Sequence, residues 1–342
     1  MALLGGQVLR TIVLIVGALA LSSTSLAHHS RAAYDLAKEV MLEGTVAELL
    51  WKNPHIFMTV ETLGADGKPH RTEVEVTSVS EAAALGLPRD AVAPGSRVAV
   101  RAHPGRGGPT ARAVGIVVTA ADGTVYPLNT DARLAIRHTA VAASGLAGRW
   151  SPTIESFNGV MAVVRSAPTT EAARAEMARR FQTENAGLGI CEPFPPPVLS
   201  IFPDLRTIEV DDTTVTMRFE GAVGVDMQRV VHLNQPHPPG VAPSLMGHSI
   251  GRFEGDTLVI DTVAFTPHHV GVLFMPSGPG KRLVERLTLK PDRLQLEYSF
   301  TVEDPDILTT PLSYTALWDH RPDLEPSGVP CDPDIARRPL QN

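Results

Sequence analysis

Gly247-His248-Ser249-Ile250-Gly251-Arg252-Phe253-Glu254-Gly255-Asp256-Thr257-Leu258-Val259-Ile260-Asp261-Thr262 is the stretch that decides the fold. Its first five residues spell G-x-S-x-G, the pattern that in α/β-hydrolases turns a strand sharply into a helix and exposes the serine. No helix follows Gly251. The chain runs through Arg252-Phe253 into the turn Glu254-Gly255-Asp256 and then into a second apolar-rich run. The stretch therefore reads as strand, tight turn, strand, with Leu258, Ile260 and Thr262 on one face and Val259, Asp261 and Val263 on the other. Asp261 falls among apolar neighbours and needs a cation, and Arg252 across the turn is the expected partner. A serine hydrolase built on Ser249, with Asp261 and then His268 or His320 behind it, is an alternative without its supporting helix.

The same reading extends outward. From Val198 the chain is a series of short β segments: 198–202, 207–210, 214–219, 229–232, 249–253, 257–265, 282–289, 293–302 and 312–318. Turns such as Asp211-Asp212 and Pro291-Asp292 separate them, so an antiparallel barrel or a strongly curved sheet is expected. One helix precedes them, capped by Thr170, with Ala173, Met177 and Phe181 at helical spacing and Gly187 and Gly189 at its end. Four prolines between Pro193 and Pro197 impose an extended segment. Upstream, 39–49, 55–63 and 71–76 read as strands. Ser78 and Glu81 form a capping box ahead of a short helix that Gly86 stops. Strands resume at 97–102, 113–119 and 124–128. Three strands, a helix and two or three further strands is the order of a small OB-like barrel. The fold class is thus mainly β, with an OB-like domain over 28–135, a weakly patterned linker, and an antiparallel β domain over 146–342.

Arg10, the apolar run to Leu21 and Ser25-Leu26-Ala27 form a secretory signal peptide, cut after Ala27. The run is too short to span a bilayer, which needs about 20 apolar residues. A periplasmic or secreted location follows. The remaining chain carries 29 basic against 37 acidic residues, which argues against nucleic acid and anionic membranes as partners. Cys191 and Cys331 are the two cysteines, and an oxidising compartment favours one disulfide between them.

Three sets of residues could carry chemistry. His248, Asp261 and Glu285 are candidate acid–base groups, and Arg252, Arg286 and Asp304 could complete a polar cluster lining a barrel cavity. Cleavage after Ala27 places His28 at the N-terminus, where one residue offers both an amine and an imidazole. With His29 and His55 it would suit Cu(II). His268-His269 is a further histidine pair after Thr266-Pro267. There is no H-E-x-x-H and no C-x-x-C, so no standard zinc motif is present.

Two resemblances cover most of the chain. His28-His29-Ser30, Tyr34-Asp35, Gly44-Thr45-Val46, Trp51, Asn53-Pro54-His55 and Pro94-Gly95 resemble an uncharacterised family of small exported bacterial β-barrel proteins. Leu146-Ala147-Gly148, Trp150, the run from Gly247 to Thr262, Glu285-Arg286 and Glu303-Asp304-Pro305 resemble a second uncharacterised exported bacterial family. The chain departs from the latter at Arg282-Leu283-Val284, where a histidine is usual, and from Trp318 onward. The resemblances imply export, the division into two β domains and the polar positions above. The expected function is an exported protein that binds a small, apolar ligand in the C-terminal barrel, with a copper site at its N-terminus. An enzyme using His248, Asp261 and Glu285 on that ligand is the alternative.

Overall fold

In the computed structural model, residues 33–106, 112–132, 140–183, 191–220 and 226–338 are described. The segment read as a signal peptide, His28, His29, Gly187 and Gly189 lie outside them, as does part of the expected linker. The first barrel is built from β1 (Val40–Leu50), β2 (Phe57–Leu63), β3 (Pro69–Glu75), α1 (Val79–Ala84), β4 (Arg97–Pro104), β5 (Ala113–Thr119) and β6 (Val125–Pro127). Its strand order is β3-β2-β1-β4-β5-β6, and a parallel pairing of β3 with β5 closes it. With α1 between β3 and β4, this is the OB-like arrangement expected from the sequence. β1 reaches both halves by pairing with β4 over Val40–Thr45 and with β2 over Thr45–Leu50. Gly44 sits at the crossing, where a Cβ would lie 2.0 Å from the Glu61 carbonyl oxygen. Ser78 caps α1 by accepting from the Glu81 amide.

The second barrel comprises β7 (Gly148–Pro152), β8 (Arg206–Val210), β9 (Thr214–Glu220), β10 (Asp226–Leu233), β11 (His248–Glu254), β12 (Thr257–Val263), β15 (Arg282–Leu289), β16 (Gln295–Glu303) and β17 (Leu312–His320). They close in the order β10-β11-β12-β15-β16-β17-β7-β8-β9, while β13 (His268–Val272) and β14 (Met275–Ser277) form a separate ribbon. The hairpin read from the sequence is present as β11–β12, paired from His248↔Val263 to Glu254↔Thr257. One pairing is parallel, β10 with β11. The long connection between these strands permits it, because a crossover can return the chain to the same end of the sheet.

Among the described residues, three helices flank this barrel. α2 (Ile154–Arg165) was not legible as a helix. It is capped by Thr153, and Ser156 near its start accepts from the Leu317 amide of β17. α3 (Glu171–Thr183) is the helix expected after Thr170, whose hydroxyl accepts from the Ala173 amide. Val198–Ile201 forms a short helix, α4, instead of the strand expected from its apolar run. Such a short buried run has no periodicity to separate the two. None of the described helices is long and apolar enough to cross a membrane.

Each barrel has its own apolar core, and the C-terminal tail binds them. After β17 the tail runs back across the first barrel to α5 (Pro333–Arg337). Arg321 donates to the Ala84 carbonyl, the Asn53 side chain donates to the Val329 carbonyl, and Lys52 pairs with Asp332. Cys331 bridges to Cys191 with an S–S length of 1.99 Å. Between the barrels, Ser80 Oγ donates to buried Asp204 Oδ1 at 2.7 Å. Burial drives the Asp204 carboxyl up from its ordinary range to about 7.

Candidate functional site

Residues alternate across a strand, so the register decides which candidate groups meet. β15 pairs with β12 through Ile260↔Glu285 and Asp261↔Val284. Glu285 therefore shares the inner face with Ile260, and Asp261 lies on the outer face. The three candidate acid–base residues are split by the sheet.

Inside, Glu285 is 0 % exposed and meets Arg229 of β10, 2 % exposed. Arg229 Nη1 donates to Glu285 Oε1 at 3.0 Å, Nε to Ser249 Oγ at 2.9 Å and Nη2 to Thr262 Oγ1 at 2.6 Å. Tyr298 donates to Glu285 Oε1 at 2.8 Å. Burial, then the Glu285 charge, raises the Tyr298 phenol. This network joins β10, β11, β12, β15 and β16, and its polar atoms partner one another, as buried charges require. Around it Leu258, Ile260, Leu283, Leu287 and Trp318 are all 0 % exposed. Side chains with no surface open to water border no space of water size, so this wall of the lumen is packed core. Ser249 lies within β11, its hydroxyl committed to Arg229 and Thr262. The Gly247–Gly251 segment is thus a strand and builds no nucleophile elbow. Arg229 and Tyr298 were missed by sequence reasoning; the only signal was a lone arginine in an otherwise β-patterned run.

Outside, His248 and Asp261 are connected by a residue the sequence did not single out, His237. The loop after β10 folds His237 over the sheet, with its Nδ1 2.8 Å from His248 Nδ1 and its Nε2 3.9 Å from Asp261 Oδ2. His232 stacks on His248, ring centroids 5.2 Å apart. Burial, then neighbouring His237 and His232, holds the His248 imidazole below its ordinary pKa, favouring the neutral ring. Asp261 takes a bidentate bond from Arg282, Nε at 2.9 Å and Nη2 at 2.8 Å. The expected Arg252–Asp261 pair is not formed. Arg252 stands opposite Val259 and Asp261 opposite Ile250, so the two share the outer face only as diagonal neighbours, and the Arg252 guanidinium pairs with exposed Glu254 instead. Arg286 also reaches Glu254, at 2.9 Å. Asp304 joins neither group. It sits in the turn after β16 and accepts from the Gly278 amide at 2.8 Å, its carboxyl raised by burial.

A third group lies at the β13–β14 ribbon. Glu192, the residue after Cys191, faces His268 and His269. Nearby, buried Lys281 donates to the Gly271 carbonyl at 2.6 Å and to the Pro196 carbonyl, with Nζ 4.0 Å above the Phe265 ring. Burial pushes its ammonium down to about 7. In the first barrel, His55 Nδ1 lies 3.2 Å from the Val76 carbonyl and 3.4 Å from Glu75 Oε1. Tyr34 donates to the other Glu75 oxygen at 2.6 Å.

No curated protein and no solved structure matches this chain. Residues 17–114 match the model of a family of unknown function (DUF6152), which spans the first barrel as far as the start of β5.

Proposed function

We propose that the protein is exported by removal of residues 1–27 and binds a small, mainly apolar molecule with one polar group on the outer face of its C-terminal barrel. The observation that carries this reading is the His237–His248 contact of 2.8 Å beside the Asp261–Arg282 pair. His237, His248 and Asp261 are half-buried, Arg282 is exposed, and Ile250, Val263 and Val284 lie on the same face. A few fixed polar groups among apolar side chains is the make-up of a small-molecule site. The packed wall of the lumen then serves as the scaffold that aligns these strands. A disulfide suits an oxidising compartment. Native mass spectrometry of exported protein tests the reading: wild type should carry a small molecule that the His237→Ala/His248→Ala variant loses. A bare chain mass for both would sink it.

The same contact supports a second, catalytic reading. A neutral His248 backed by His237 and Asp261 is placed as a general base, with Glu285 taking no part because it faces the core. Conversion of the co-purified molecule by wild type but not by His248→Ala distinguishes catalysis from binding. We further propose Cu(II) binding by the His28 amine and imidazole, completed by His29 or His55. His28 is six residues from Tyr34, a reach of about 20 Å, and Tyr34 is tied to Glu75 beside His55. One residue added before His28 should abolish tight Cu(II) binding in calorimetric titration.

A further inference from the structure

We infer that Glu192, His268 and His269 form a binding site for a zinc-class divalent ion, positioned by the Cys191–Cys331 disulfide. Their donor atoms all lie within 4.8 Å of one another. His268 Nε2 is 3.1 Å from Glu192 Oε1, and His269 Nε2 is 3.5 Å from Glu192 Oε2. Zinc bonds of about 2.0–2.1 Å at tetrahedral angles hold donors roughly 3.3–3.4 Å apart, and the two histidine–carboxylate separations lie close to that, each on a different Glu192 oxygen. The His268 side chain is 9 % exposed, and its Nε2 faces Glu192 Oε1. Two imidazoles and one carboxylate leave the fourth zinc position free for water.

The backbone around the site is fixed. Ser277 Oγ accepts from the His268 amide at 3.1 Å. It can approach because residue 271 is glycine, where a Cβ would lie 2.0 Å from that oxygen. Glu192 comes from a different part of the chain, held by the disulfide of its neighbour Cys191. Cys331 is anchored in turn by its bridge to Asn53 and by the Asp332 amide donating to the Asn53 carbonyl at 2.9 Å. His268 Nδ1 accepts from the Val270 amide at 3.2 Å. An imidazole that ligates through Nε2 carries its proton on Nδ1, so loading the site breaks this contact. The Val270 amide is therefore a local reporter.

The site shares no donor with the outer face of the barrel or with the N-terminal copper proposal. The test is calorimetric titration of the full oxidised chain with Zn(II), with the Val270 amide followed by NMR. Zn(II) should shift Val270. His268→Ala, His269→Ala and Glu192→Gln should each weaken one zinc equivalent at least about ten-fold, the loss that even outer-shell partners cause. Cys191→Ser/Cys331→Ser should weaken the same equivalent, and one residue added before His28 should leave it unchanged. Absence of zinc binding, an unmoved Val270 in zinc-loaded wild type, or wild-type affinity in both His268→Ala and Glu192→Gln would overturn the site. Wild-type affinity in the serine pair would overturn the part given to the disulfide.

Discussion

Arg229→Ala should destabilise the C-terminal barrel more than any surface charge change. Arg229 holds Glu285, Ser249 and Thr262 from the centre of the wall. Its loss leaves a carboxylate with 0 % exposure bonded only to Tyr298. Removing one partner of a buried ion pair costs roughly 3–5 kcal/mol. At about 2–4 °C per kcal/mol for a unit of this size, melting should fall by roughly 6–20 °C. Trp150 and Trp318 are fully buried in the same core, so their fluorescence follows the transition. Arg229→Met with Glu285→Leu removes both charges and should recover most of the loss, because neither ion is then desolvated. A shift below about 2 °C for Arg229→Ala would refute the buried-pair argument. A double variant as unstable as the single one would assign the effect to packing instead of charge.

Replacing Cys191 and Cys331 by serine frees a loop with a sequence separation of 140. The chain-entropy model puts the cost at up to about 5 kcal/mol, and coincident denaturant transitions would contradict it. Arg282→Ala should cost more than Arg252→Ala, within the roughly 0–1 kcal/mol of partly exposed pairs. Only the former strips Asp261 of its bidentate cation, and chemical denaturation that ranks them the other way would refute the register. Asp204 is raised in the fold, so between about 4 and about 7 the native chain holds a proton that the unfolded chain has lost. Stability from this group is therefore full below that window and falls as pH rises through it. Asp204→Asn should flatten this loss when melting is compared at pH 5 and pH 8, and an unchanged slope would show that another group controls it.

The β character, the β11–β12 hairpin, the Ser78 cap of α1 and the helix after Thr170 were legible because each rests on contacts between residues a few positions apart. Alternation along 257–263 also sorted that strand correctly into two faces. It could not say which face was the core, nor how Glu285 and Asp261, on neighbouring strands, would be placed against each other. That depends on the register Ile260↔Glu285, which hydrogen bonds between strands set and no local pattern records. Closure of the second barrel brought Arg229 to Glu285, and the loop after β10 brought His237 to His248. The fold also set Glu192, next to the disulfide, against His268 and His269. The sequence alone determined the kinds of segment and the chemical groups available. Only the tertiary structure decided which groups meet, because a one-residue change of register moves a charge from solvent to core.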